Sequence, residues 1–124
     1  MKKILIIDDD VDFTDSIATL LEGAGHEVLR ARDGDEGVAL ALAARPDVIV
    51  CDVMMKERTE GFFTIQRLRR IPGLEHTRIV VVSSVYDAIP AFKVEPQQSW
   101  LRHDAFMQKP VDADELLRLV EVSA

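Results

Sequence analysis

The sequence predicts an α/β protein in which a parallel sheet is covered by helices on both faces. Short apolar runs alternate along the chain with segments whose apolar residues recur at helical spacing. The first run, Ile4–Ile7, is continuous and bounded by charged residues, as expected of a strand that is buried on both faces. Strands that alternate with helices need crossover connections, so they pair in parallel and carry helices on both sides of the sheet.

The strands are predicted from runs rich in isoleucine, valine and other apolar residues. Each run is short enough for a strand and is bounded by charged, glycine or proline-containing segments. The five predicted strands are Ile4–Ile7, Glu27–Ala31, Asp47–Cys51, Ile79–Val82 and Ala105–Gln108.

The helices are predicted from apolar residues at i, i+3 and i+4 spacing between these runs. Aspartate is a favoured N-cap, so Asp112 or Asp114 is expected to open the last helix. Proline and glycine are expected to stop the others. The predicted helices run from Phe13 to Ala24 before Gly25, from Asp35 to Ala44 before Pro46, from Phe62 to Ile71 before Pro72–Gly73, and from Asp112 or Asp114 through Val120.

The segment from Tyr86 to His103 departs from this alternation. Pro90 and Pro96 each lack an N–H and interrupt the helix that the pattern requires there. Pro96 suits the first turn of a shorter helix that reaches Trp100. We therefore expect a loop followed by a short helix.

Length and composition predict one domain over residues 1–124. The chain has 48% hydrophobic and 30% charged residues, which is a globular balance. Its formal net charge of −7 argues against direct nucleic-acid binding, because a phosphate backbone repels a negative surface. The apolar run after Lys3 stops at Asp8, too soon for a signal-peptide core or a membrane span. The single cysteine, Cys51, excludes an internal disulfide and fits a cytoplasmic location.

Polar side chains follow four of the five predicted strands. Asp8 and Asp9 follow the first strand, Asp52 the third, Ser83 the fourth and Lys109 the fifth. The carboxyl ends of parallel strands meet at one edge of the sheet, where ligands of such sheets bind. Carboxylates about 4 Å apart repel by roughly 4 kcal/mol at an effective dielectric near 20, so this edge needs a cation, a lysine or both. Oxygen ligands suit Mg²⁺, and an acceptor carboxylate, a divalent cation, a lysine and a hydroxyl are the groups that phosphoryl transfer requires.

Other interpretations of the N-terminal aspartates are weaker. A calcium-binding loop that opens at Asp8 needs glycine at its sixth position and glutamate at its twelfth, where the chain has Phe13 and Thr19. Capping of the first helix by Asp9 or Asp10 is compatible with any function.

The cysteine and the histidines are given structural roles. Cys51 is expected to be a small buried apolar residue. His26, His76 and His103 have no spacing typical of metal ligands and are expected on the surface.

Four segments of the chain resemble the motifs of response regulator receiver domains. They occur in the family order, with near-family spacing, and the similarity covers essentially the whole chain. The resemblance implies a flavodoxin-like fold, in which a five-stranded parallel sheet has the strand order 2-1-3-4-5. The four segments are Ile4–Asp10, Val48–Met55, Val80–Ser84 and Phe106–Pro110.

The resemblance also implies a role for each residue at the sheet edge. Asp52 would accept a phosphoryl group from a histidine kinase, a phosphotransfer protein or a small phosphodonor. Asp9 and Asp52 would bind Mg²⁺ directly, with the backbone carbonyl of Met54 as a third ligand and Asp8 acting largely through water. Lys109 would contact the phosphoryl group.

A conformational switch follows from the same resemblance. Ser83 would move inward to hydrogen-bond the phosphoryl group, and Phe106 would follow into the space vacated. Pro110 stands where the family usually places a proline, often after a cis peptide bond. The expected partners are a histidine kinase or phosphotransfer protein and a downstream protein target. A homodimer is left open, and neither nucleic acid nor a membrane is expected.

Two segments depart from the family pattern. The loop after Asp52 is one residue longer than usual and has Lys56 in place of a proline. The interval after Ser83 is several residues longer, so the usual partner interface is not carried over. Met54 and Val85 are apolar where the family tunes hydrolysis, which predicts slow loss of the phosphoryl group.

The leading hypothesis is a phosphoacceptor switch, which catalyses only its own phosphoryl transfer and dephosphorylation and is not otherwise an enzyme. Whether it stands alone or belongs to a larger protein is left open. The alternative is a degenerate receiver that docks to a partner without being phosphorylated. A small phosphatase is a distant third hypothesis, since such enzymes need a second aspartate where this chain has Met54.

Overall fold

The protein is described here by a computed structural model that covers residues 2–52, 60–74, 77–83, 105–108 and 111–121. The strands in these ranges are β1 (Lys3–Ile7), β2 (Glu27–Ala31), β3 (Val48–Asp52), β4 (Arg78–Ser83) and β5 (Ala105–Gln108). The helices are α1 (Val11–Gly23), α2 (Gly34–Ala44), α3 (Glu60–Arg69) and α4 (Ala113–Glu121). The predicted loop and short helix between Tyr86 and His103 lie outside the described residues.

The five strands form one parallel sheet in the order β2-β1-β3-β4-β5. This confirms the doubly wound, flavodoxin-like sheet that the resemblance implies. The strand order reverses between β1 and β3, which are neighbours in the sheet although β2 lies between them in the chain. A crevice at the carboxyl ends of the strands is expected at such a reversal.

Two apolar clusters lie on opposite faces of the sheet and explain why the strands read as continuous apolar runs. Leu5 and Ile7 belong to the cluster that also contains residues of α2 and α3, whereas Ile4 and Ile6 belong to the cluster that contains residues of α1 and α4. All four side chains are fully buried. Each such burial contributes about 1.5–3 kcal/mol, so the sheet is stabilised from both sides.

Aspartates begin three of the four described helices. The carboxylate of Asp10 accepts the N–H of Phe13 at α1, and that of Asp33 accepts the N–H of Glu36 at α2. Asp112 caps α4, where its Oδ1 accepts an N–H at 3.0 Å. The structure thereby decides between the alternatives that the sequence left open, in favour of Asp10 and Asp112.

Two sequence-based expectations about polar residues are corrected. Asp47 was expected to begin the third strand, but it precedes β3 and its carboxylate accepts the N–H of Lys3 at 2.8 Å. His26 was expected on the surface, but its side chain is only 6% exposed. Its Nδ1 accepts the N–H of Lys2 at 3.0 Å and its Nε2 lies 3.1 Å from a carboxylate oxygen of Glu121. The pairing of β2 with β1 places the His26 imidazole beside the start of β1. The residues of one strand alone do not predict such a contact between strands.

None of the helices within the described residues is long and apolar enough to cross a membrane.

Candidate functional site

The pairing of β1 with β3 places two aspartates level with each other at the carboxyl edge of the sheet. Ile7 pairs with Cys51 in the register of these strands. Asp8 directly follows β1 and Asp52 ends β3, so the two residues are level with each other at the edge of the sheet. Asp52 is the last residue of β3, at the point where the strand order reverses.

Three carboxylates meet at this point. One carboxylate oxygen from each of Asp8, Asp9 and Asp52 lies within 4.8 Å of the other two. We call these three residues the acidic cluster. Asp8 is 2% exposed and Asp52 is 5% exposed, whereas Asp9 is exposed. The cluster is therefore open to solvent on the Asp9 side and backed by the apolar interior.

Backbone hydrogen bonds hold Asp8 in place. Its N–H donates to the carbonyl of Ala31 on β2 at 3.0 Å. Its Oδ1 accepts the N–H of Asp10 at 2.9 Å, which is the i to i+2 pattern of an Asx turn. The carboxylate of Asp10 in turn accepts the N–H of Phe13 at 3.1 Å and begins α1. A chain of hydrogen bonds thus fixes Asp8 relative to α1.

The role of Asp10 in orienting Asp8 was not predicted. The sequence offered Asp10 as a cap of the first helix, and the structure shows that cap. The sequence does contain a signal for this turn. An aspartate side chain commonly accepts the backbone N–H of the residue two positions later, and Asp10 stands two positions after Asp8.

The donor set of the acidic cluster fits a hard divalent cation. Carboxylate oxygens are the ligands that Mg²⁺ and Ca²⁺ take in proteins. Like charges this close repel each other, most strongly where burial lowers the dielectric, and two of the three carboxylates are buried. A bound cation would offset that repulsion. The predicted meeting of the three aspartates is confirmed.

The remaining predicted site residues are described only in part. Met54 and Lys109 lie outside the described residues, as do the side chains of Ser83 and Phe106. The backbone of Ser83 ends β4 and pairs with Gln108, the last residue of β5. Both strand ends therefore belong to the same edge as the acidic cluster, and Lys109 follows Gln108 directly in the sequence.

Cys51 precedes Asp52 on β3 and has a structural position. It is fully buried in one of the two apolar clusters, as predicted. Its Sγ lies 3.6 Å from the backbone oxygen of Asp52.

Comparisons with known proteins agree with this geometry. The family model for the response regulator receiver domain matches residues 4–121. Protein PilH of Pseudomonas aeruginosa is 30% identical over 128 residues, which cover 97% of this chain and 95% of PilH. The chemotaxis response regulator CheY4 of Vibrio cholerae has a similar structure, with a TM-score of 0.81 and 27% identity over 98% of this chain and 97% of that one.

Other relatives are longer than this chain. The DNA-binding dual master transcriptional regulator RpaA of Synechocystis sp. is 36% identical over 97% of this chain, which spans 48% of RpaA. The chain likewise spans 45% of a probable transcriptional regulator, ycf27 of Cyanophora paradoxa, and 50% of the transcriptional regulatory protein DltR of Streptococcus agalactiae. The expectation that nucleic acid is no direct partner is not supported by these relatives. Because the family model and PilH both match nearly the whole chain, the chain belongs to the response regulator receiver domain family.

Proposed function

We propose that this chain is the phosphoacceptor receiver domain of a two-component phosphorelay, in which Asp52 accepts a phosphoryl group in a Mg²⁺-dependent reaction. The observation that carries the proposal is the acidic cluster, where two buried carboxylates and one exposed carboxylate lie within 4.8 Å at the carboxyl edge of the sheet. The family supports the same role for the aspartate at the end of β3.

The proposed reaction is a phosphoryl transfer to a carboxylate. An oxygen of Asp52 attacks phosphorus and forms a P–O bond, while the bond from phosphorus to the donor breaks. The donor is a phosphorylated histidine or a small acyl phosphate, and its leaving atom keeps the electron pair of the broken bond. Such transfer depends on positioning and charge neutralisation more than on covalent chemistry by the protein.

Asp8, Asp9 and Asp52 would hold the cation, with the backbone carbonyl of Met54 as a further ligand by resemblance to the family. When bound, Mg²⁺ would neutralise part of the negative charge on the cluster and on the incoming phosphoryl group. The hydrogen bond from the backbone N–H of Asp10 keeps the Asp8 carboxylate oriented, while Asp9 lies at the open side of the cluster.

The response to phosphorylation is proposed from the family. Lys109 would contact the phosphoryl group, Ser83 would hydrogen-bond it, and Phe106 would follow Ser83. A new charge-assisted hydrogen bond of this kind can shift the balance between two loop conformations. Partner binding would change as a result.

The proposed partners are a histidine kinase or phosphotransfer protein and a downstream protein target, in the cytoplasm. The chain would act as a switch rather than as an enzyme on external substrates. Relatives that are about twice as long as this chain are named as transcriptional regulators.

Phosphorylation can be tested by intact mass spectrometry after incubation with acetyl phosphate and Mg²⁺. We expect one phosphoryl adduct in the parent protein and none in Asp52→Asn. Asp47→Asn is a matched control, because Asp47 precedes the other end of β3 and should leave the adduct unchanged. Absence of an adduct in the parent would favour a degenerate docking receiver, and an adduct retained in Asp52→Asn would place the acceptor elsewhere.

A further inference from the structure

A cleft of about 170 Å³ lies beside the acidic cluster. Its lining is formed by residues in the first two turns of α1 and at the end of β2, together with Arg32 and Glu36, which follow β2. Asp8 belongs both to the cleft and to the acidic cluster. The remaining lining residues are Val11, Thr14, Asp15, Arg30 and Ala31.

Thr14 lines the cleft and has an unsatisfied hydroxyl. The residue is 5% exposed, and its Oγ1 has no hydrogen-bond partner among the residues that the structure describes. Its backbone N–H is used within α1, where it donates to the carbonyl of Asp10. A buried hydroxyl without a partner is costly, so a ligand that hydrogen-bonds it would gain affinity.

Two oppositely charged side chains in the lining, Asp15 and Arg32, have neither an ion pair nor a side-chain hydrogen bond within the described part of the chain. The neighbouring charges are engaged, since Arg30 lies 3.8 Å from a carboxylate oxygen of Glu22, and Glu36 accepts the backbone N–H of Arg32 at 3.2 Å. A ligand with a single charge would satisfy one of Asp15 and Arg32 and be repelled by the other.

The cleft also has an apolar part. Val11 on α1 is 54% exposed although it is apolar, and Ala31 at the end of β2, which is buried, also lines the cleft. The volume slightly exceeds that of an engineered cavity of about 150 Å³ that binds benzene. It therefore suits one apolar side chain, with charged groups left at the rim.

We propose that this cleft binds a free α-amino acid with an apolar side chain. Arg32 would pair with the carboxylate, Asp15 with the ammonium group, and the Thr14 hydroxyl would hydrogen-bond one of the two. The apolar side chain would lie against Val11 and Ala31. The cleft shares Asp8 with the acidic cluster, but binding of the amino acid does not require phosphoryl transfer.

The binding test uses L-leucine and follows the backbone amide signals of Thr14 and Arg32 by ¹H–¹⁵N NMR. Mg²⁺ and phosphodonor are left out, so the outcome is independent of phosphorylation. We expect a dissociation constant on the order of 1 mM. N-acetyl-leucine, which lacks the ammonium, and leucinamide, which lacks the carboxylate, should each bind at least about tenfold more weakly. No shifts at about 20 mM L-leucine, or equal binding by either analogue, would overturn the proposal.

Variants locate the site. Arg32→Gln and Asp15→Asn should each weaken L-leucine binding at least about tenfold. Arg118→Gln and Asp114→Asn make the same charge changes on α4, outside the cleft lining, and should bind as the parent does. Thr14→Val should bind about threefold more weakly, yet unfold at a higher urea concentration because a buried hydroxyl is removed. Parent-like binding by these three cleft variants, or equal losses in the α4 controls, would refute the assignment.

Discussion

Between Ile7 and Asp8 the chain passes from the apolar interior of the sheet to a concentration of negative charge. The interior is stabilised by side chains that are buried on both faces of the sheet. At the edge, three carboxylates lie within 4.8 Å of one another, an arrangement that opposes folding unless a cation is present. The core therefore supplies the stability that allows the edge to keep its charges together.

The largest effect is expected from removing core volume. Ile49 lies on the strand between β1 and β4 and is fully buried. Ile49→Ala should lower the free energy of unfolding by about 2–5 kcal/mol, because the transfer free energy is lost and a cavity remains. Urea unfolding measures this loss. Phe63→Ala is the matched control, since Phe63 is 60% exposed, and a loss as large as that of Ile49→Ala would contradict the burial described here.

Removing a helix N-cap should have a smaller effect on stability. Comparing two such caps distinguishes the carboxyl edge of the sheet from the rest of the molecule. Asp10→Ala and Asp33→Ala should each lower the free energy of unfolding by about 0.5–2 kcal/mol, because each removes an N-cap. Only Asp10 also connects α1 to the acidic cluster. Asp10→Ala keeps the backbone N–H that donates to Asp8 but loses the cap that fixes this N–H at the start of α1, so Mg²⁺ affinity, measured by calorimetry, should fall in Asp10→Ala and stay unchanged in Asp33→Ala. Equal Mg²⁺ affinities in the two variants would contradict a positioning role for Asp10.

Removing one charge from the acidic cluster should stabilise the protein when no cation is bound, whereas most substitutions destabilise a protein. In EDTA, Asp9→Asn should raise the free energy of unfolding by about 0.5–1 kcal/mol, since Asp9 is exposed and its repulsion is partly screened. With Mg²⁺ the order should reverse, because the variant has lost a ligand. Thermal melts in the two buffers measure both signs. A lower melting temperature for the variant in EDTA would mean that the carboxylates do not repel as described.

The last prediction concerns the lifetime of the phosphoryl group rather than stability. Apolar residues two positions after Asp52 and Ser83 should position water poorly, so the phosphoryl group should persist well beyond seconds in Mg²⁺. Val85→Gln restores a polar side chain and should shorten the lifetime. Decay of the phosphorylated parent within seconds, followed by mass spectrometry, would contradict the prediction.

The interior was the more predictable part of the molecule. Runs such as Ile4–Ile7 and Ile79–Val82 are apolar at every position, as expected of strands buried on both faces, and both lie within strands of the structure. The meeting of Asp8 with Asp52 followed from the rule that parallel strands share one carboxyl edge. No measurement of side-chain position was needed for either prediction.

Contacts between elements were less predictable. The burial of His26 depends on the pairing of β2 beside β1 and on the end of α4, which lie far apart in the sequence. The hydroxyl of Thr14 and the charges of Asp15 and Arg32 carry no periodic signal, so their shared cleft appears only once α1 and β2 are placed together.

Calorimetric titration with Mg²⁺ tests the central claim that the three carboxylates at the sheet edge form a single cation site. We predict one binding event per chain in the parent, and an affinity at least about tenfold lower in both Asp9→Asn and Asp52→Asn. Asp47→Asn, which alters a carboxylate preceding the opposite end of β3, should bind as the parent does. Parent-like affinity in either Asp9→Asn or Asp52→Asn would contradict the claim.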